Sequence, residues 1–233
     1  MIGGLIQARN LTLEDHSLRV GGGAALVGVA FGGGTVAGVD AIDFWPDVST
    51  QRTVVAGDNG SVYKDDGTGN GWVVLVSGLT TADWVPHLVP GGAEAAGNNR
   101  KLFLFTRANA VQVLSGDGAT MAAIATPPAA WGTGANNPGF GVVHQGFLWA
   151  GGMGNDPHAL DRSQQANHEN FTGTVYHLRV FPGEGERLVA GLTYKGVLLV
   201  WKYPEGVYAV DTSDASDTNW RVIKVGAPGA AGP

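Results

Sequence analysis

The feature that most constrains this chain is a regular spacing. Four stretches, at 53–63, 102–112, 147–160 and 198–208, share one pattern: an apolar strand, a short polar turn and a second apolar strand. The second strand of each begins at Val62, Val111, Ala159 and Val207, which lie 49, 48 and 48 residues apart. A period of about 48 residues holding about four strands has the length of one β-propeller blade. A single blade leaves its apolar faces bare, and stacking the next blade against it covers them. The chain is therefore expected to be all-β, a propeller-like array of about four four-stranded antiparallel blades at 35–79, 80–128, 136–182 and 183–226. Residues 1–34 read as an extended arm with a first strand, and 227–233 as a loop leading out. Four blades stand at the low end for a closed ring, so the expectation includes an incomplete propeller, continued by other chains or within a larger one. An irregular β-sandwich with coincidental spacing is the competing architecture.

Composition agrees with strands and tight turns. The 233 residues include 38 Gly, more than twice the usual ~7%. Interior Gly is poor helix material, whereas turns need its positive φ. Asp58-Asn59-Gly60, Gly116-Asp117-Gly118 and Asn155-Asp156-Pro157 are turn sequences of that kind. The segment 159–170, with Asp161, Arg162, Ser163, Gln164 and Gln165, reads as loop or one short turn. Hydrophobic residues make up 44% of the chain, ample for a core. No apolar run approaches the ~18 residues of a spanning helix, and no membrane partner is expected. Met1-Ile2-Gly3-Gly4 shows no basic head followed by an apolar stretch, so the opening does not read as a secretory signal. The absence of cysteine excludes disulfides and thiolate metal sites, and the net charge of −6 argues against broad nucleic-acid binding.

Candidate chemistry is sparse. The polar stretch Asn155-Asp156-Pro157-His158, with Asp161, His168 and Glu169 beyond it, is the best candidate for a site. His158, Asp161, His168 and Glu169 could ligate a metal if the loop folded back on itself, but their spacing matches neither H-E-x-x-H nor an EF-hand loop. Ordinary loop structure is the favoured reading, and no cofactor or metal is expected. A glycosidase needs two carboxyls about 5–9.5 Å apart. Asp40 and Asp43 stand three apart on one strand and face opposite ways, while Asp58, Asp65, Asp66 and Asp117 sit in turns. No G-x-S-x-G elbow is present, and the Gly-rich runs at 31–35 and 67–71 lack the P-loop Lys-Ser/Thr. The seven Trp residues suit packing between sheets, with an aromatic sugar platform as the alternative.

Several stretches resemble one family. Leu5, Ala8-Arg9-Asn10 and Leu18-Arg19-Val20-Gly21-Gly22-Gly23 are similar to an extended segment leading through a Gly-rich turn into a first blade. Val143-His144-Gln145-Gly146-Phe147-Leu148-Trp149-Ala150-Gly151-Gly152, followed by Asn155-Asp156-Pro157-His158, resembles a second blade signature. It departs from that signature at Phe147, where a basic residue is usual, and at Leu160-Asp161-Arg162-Ser163, where Tyr-Ser is usual after the His. A third match runs from Phe171-Thr172-Gly173 through 180–186 and 188–202 to Gly206-Val207-Tyr208. Together these resemble the β-propeller tail proteins of tailed bacteriophages, of the tail-hub or nozzle type, over about two-thirds of the chain. The resemblance implies a non-enzymatic structural virion protein, assembled in the host cytoplasm into a homo-oligomeric ring at the head–tail connection. Its implied neighbours are portal, adaptor and other tail proteins, with DNA passing through the lumen without specific binding. An acidic lumen would keep DNA sliding without sticking. A receptor- or glycan-binding propeller at the tail tip is the alternative, and a glycoside hydrolase is a more distant one.

Overall fold

Short apolar runs punctuated by Gly and Asx turns become strands of two to eight residues, and helix is almost absent; a three-residue 3-10 turn spans Asp217–Asn219. The computed structural model describes residues 51–68, 71–92, 100–116, 118–132, 136–172, 176–204, 206–214 and 216–225, with strand backbone also at 6–7, 11–14, 17–20, 25–26 and 39–46. Within the segment read as an arm, β1 (Ile6–Gln7) pairs with β4 (Ala25–Leu26), and β2 (Leu11–Glu14) with β3 (Ser17–Val20). The rest of that arm, and 227–233, lie outside the described residues.

Four four-stranded antiparallel sheets follow, each a meander in chain order. The first holds β5 (Val39–Pro46), β6 (Gln51–Gly57), β7 (Val62–Asp65) and β8 (Trp72–Val76). The second holds β9 (His87–Gly92), β10 (Arg100–Phe105), β11 (Gln112–Ser115) and β12 (Ala122–Ala123). The third holds β13 (Phe140–His144), β14 (Phe147–Gly151), β15 (Ala159–Arg162) and β16 (Tyr176–Arg179). The fourth holds β17 (Arg187–Tyr194), β18 (Val197–Tyr203), β19 (Gly206–Asp211) and β20 (Arg221–Lys224). Val62 and Ala159 open the third strand of their sheets, Val207 is second in its third strand, and Val111 immediately precedes β11.

Strand β15 corrects the loop reading of 159–170. Ala159, Leu160 and Asp161 are buried between β14 and β16, and the polar Asp161 is tolerated in a strand because both its oxygens find donors. Residues 163–170 do form turns, closed by the bridge Gln164↔Asn167.

The sheets stack face to face in sequence order, and the two-residue period of a strand decides which side chain meets which neighbour. On β10, Leu102 and Leu104 pack with Val54, Ala56 and Val62 of the first sheet. Their neighbours Phe103 and Phe105 point the other way, onto Leu148 and Ala150 of the third. Trp149 then turns towards Leu198, Val200 and Tyr208 of the fourth. The leading strands of successive sheets lie side by side, β5 with β9, β9 with β13 and β13 with β17. Small residues permit this. A Cβ on Gly141 would stand 2.3 Å from the Phe105 ring, and one on Gly191 would stand 2.8 Å from Val142. Gly91, Gly141 and Gly191 recur at intervals of 50 on these leading strands, with Ala41 a further 50 back on β5. Two hairpins turn on residue pairs with positive φ, Gln145-Gly146 and Lys195-Gly196, the two-residue geometry that matches strand twist.

Candidate functional site

Three of the four residues singled out as possible metal ligands take separate partners, and His158 Nδ1 is buried without a hydrogen bond among the described residues. His168 is buried; its Nδ1 accepts from the Gly92 amide at 2.8 Å, and its Nε2 donates to the Gly146 carbonyl at 3.2 Å. It thereby ties the second sheet to the β13–β14 turn of the third. Glu169 pairs with Lys101 at 2.6 Å across the same two sheets. His158 is held below its usual pKa first by burial, then by Lys202 and Arg179, against the opposing pull of Asp156. Asp161 bonds to Trp131 and His177. Among the described residues, no three His, Asp or Glu side chains are grouped to hold a metal ion.

Of the carboxylates weighed for glycoside hydrolysis, Asp40 and Asp43 stand on β5, Asp58 falls in the β6–β7 turn, and Asp65 and Asp66 lead from the end of β7 into the next turn. The side chain of Asp65 accepts from the Thr53 and Gly67 amides, and Asp66 accepts from both the amide and hydroxyl of Thr68. Asp117 lies outside the described residues, as do the side chains of Asp40 and Asp43.

Two arrangements escaped the sequence reading. The first is centred on His177. Its Nδ1 lies 2.6 Å from Asp161 Oδ1 and its Nε2 3.0 Å from Asp156 Oδ2. Trp131 Nε1 donates to Asp161 Oδ2 at 2.8 Å, and Arg179 Nη2 donates to Asp156 at 2.7 Å. Burial pulls the His177 pKa down, but the hydrogen bonds to Asp161 and Asp156 outweigh it and hold the imidazole above its ordinary value. Partial burial pushes Asp156 up, and its bonds from Arg179 and His177 more than reverse this. Both ring nitrogens of His177 are occupied by carboxylates, so the cluster clamps β15, β16 and the preceding loop and leaves that ring no nitrogen for a substrate proton. The alternation Tyr176-His177-Leu178-Arg179 was the available signal: it puts His177 and Arg179 on one face.

The second is a cleft of about 1050 Å³ between the third and fourth sheets. It is bounded by the β13–β14 turn, the loop after β15 and the β19–β20 loop. Arg162 lies over Phe147, 4.2 Å from the ring centroid, and 5.0 Å from that of Trp220, and donates to Asp217 at 3.0 Å. Trp220 packs on Trp149 with centroids 5.5 Å apart, and its indole N–H donates to the Asp214 carbonyl at 2.8 Å.

A different surface distinguishes the fourth sheet. Leu192, Leu199, Ala209 and Ile223 stand opposite one another across its strands, on the face turned away from the third sheet. Leu192 and Ile223 are each 50% exposed, and Tyr194 and Val225 slightly more so. The described residues thus combine buried polar clamps between sheets, a polar cleft and one apolar sheet face exposed along its outer strands, with Ala209 buried at its centre. Comparison with known proteins returns neither a matching family model nor a matching curated protein.

Proposed function

We propose that this chain is a structural, propeller-like subunit of a tailed-bacteriophage tail, built to assemble with further copies around the DNA path. The observation that carries the reading is the partly exposed apolar face of the fourth sheet. Each of the three described sheet-to-sheet contacts buries such a face, whereas on this one Leu192 and Ile223 stay half exposed. An apolar patch of this kind marks an interaction surface. The neighbouring copy is its occupant. The outer face of the first sheet is not the complementary surface, because Val55 and Tyr63, which point that way, are 0% and 4% exposed. The side-by-side leading strands, kept close by Gly91, Gly141 and Gly191, support radial blades around an axis.

The mechanism is assembly. Stacked sheets make a stiff wall, polar clamps such as Lys101–Glu169 fix one sheet on the next, and the exposed apolar face joins copies. Light scattering and electron microscopy of the purified chain test this. Oligomers are expected for the wild type, and Leu192→Lys with Ile223→Lys should yield folded, unassembled chains. A wild type that stays monomeric at high concentration, or a ring whose lumen is lined by Lys and Arg, would overturn the reading.

A further inference from the structure

We infer that the cleft between the third and fourth sheets is a binding site for a neutral oligosaccharide. This stands apart from the assembly reading, since it concerns another surface and the isolated chain suffices to test it. The chemistry of the lining makes the assignment. Its lining includes two aromatic rings, Phe147, over which Arg162 lies, and the half-buried Trp220, which packs on Trp149. Its walls are mainly amide and hydroxyl groups, among them Gln164, Gln165, Thr172 and Ser213. A pyranose presents the same two chemistries, an apolar C–H face for an aromatic ring and a rim of hydroxyls that both donate and accept.

Charge narrows the ligand. One arginine and two aspartates, Asp214 and Asp217, line the cleft, and the arginine is already bonded to Asp217. A phosphate or an acidic sugar would meet net negative charge, whereas the hydroxyls of a neutral sugar can donate to carboxylate oxygens, each of which accepts more than one hydrogen bond. Size narrows it further. The volume of about 1050 Å³ lies at the upper end of the ~300–1000 Å³ usual for small-molecule sites, which favours a short oligomer over a monosaccharide. A peptide fits less well, because the walls offer few apolar pockets for its side chains.

The site is also pre-shaped. Asp214 accepts from the Ser216 amide and from Asn219 Nδ2 at 2.8 and 3.1 Å, bracing the β19–β20 loop, and Gln164 Nε2 donates to the Thr172 carbonyl at 3.0 Å. Little loop ordering is left to oppose binding.

The test is an array of neutral and acidic oligosaccharides and short peptides, followed by calorimetry on the full chain with the best neutral oligosaccharide. Micromolar to millimolar affinity is expected, falling roughly tenfold in Trp220→Leu and several-fold in Gln165→Ala. Trp220 also packs against the core, so Gln165→Ala and Gln164→Ala, both at exposed positions, carry the test if Trp220→Leu unfolds. No binding by neutral sugars at millimolar concentration would overturn the inference. So would capture of acidic sugars or peptides alone, or binding that the cleft variants leave unchanged.

Discussion

The two ends of the sheet stack differ in one respect that shapes the rest. On the outward side of the first sheet, among the described side chains, Val55 and Tyr63 on the inner strands are buried and Val74 on the last strand is half exposed. On the outward side of the fourth, Ala209 is buried and Leu199 half-buried on the inner strands, while Leu192, Tyr194, Ile223 and Val225 towards its edges are half exposed. Both faces carry apolar residues with the same two-residue alternation, so the difference lies in what covers them. A face is apolar because its residues are; it is buried only if another element reaches it. Among the described residues the stack is thus covered at one end and partly exposed at the other.

The sharpest way to break this comparison is to truncate side chains at each kind of face. Phe103→Ala, in the twice-covered second sheet, should cost about 4 kcal/mol in urea unfolding, because a fully buried ring leaves a cavity. A loss below about 1 kcal/mol would mean the second and third sheets are not tightly packed. Gly141→Ala comes next. Its new methyl would run into the Phe105 ring, itself fully buried, and overpacking of that kind costs about 3 kcal/mol. At the open end, Ile223→Ala should change the stability of the unassembled chain by about 0.5 kcal/mol or less, while weakening assembly. A large loss of monomer stability there would show that the face is covered within the chain.

Titration sharpens the comparison between the clamps, with smaller effects. His87 accepts from the Gly141 amide at 3.3 Å, and His144 Nε2 lies 2.8 Å from Thr212 Oγ1; burial lowers the pKa of both. Their contribution is present above the unfolded value of 6.5 and is lost as the pH falls below it through their lowered folded values. His177 behaves oppositely. Its folded pKa is raised, so its contribution is complete below 6.5 and is lost as the pH rises through that raised value. Urea midpoints should show any advantage of wild type over His144→Gln shrinking as the pH falls below 6.5, and that over His177→Gln shrinking as the pH rises above 6.5. Parallel curves for wild type and either variant would remove that histidine from the pH response.

Much of the strand pattern was legible. The hairpin markers at Val62, Val111, Ala159 and Val207 fall at the start of the third strand in each sheet, because turn residues and strand alternation are local chemistry. The reading was divided at β15: the repeat put a strand start at Ala159, but Asp161 and Arg162 look like loop residues until Trp131, His177 and Asp217 supply their partners from 30, 16 and 55 residues away. The spacing of Gly91, Gly141 and Gly191 is visible in the sequence, but its meaning is not, since it depends on how near Phe105 and Val142 come. The cleft was illegible for the same reason. Its aromatic rings and its walls come from three separate segments.

Strand content, turn positions and the repeat length follow from residues within a few places of one another, and those could be worked out from the order of amino acids. The pairing of particular faces, the lowered pKa of His87 and His144 and the exposure of apolar residues on the last sheet depend on groups tens of residues apart arriving within a few ångströms. Packing and desolvation act only at that range, so they belong to the folded molecule alone.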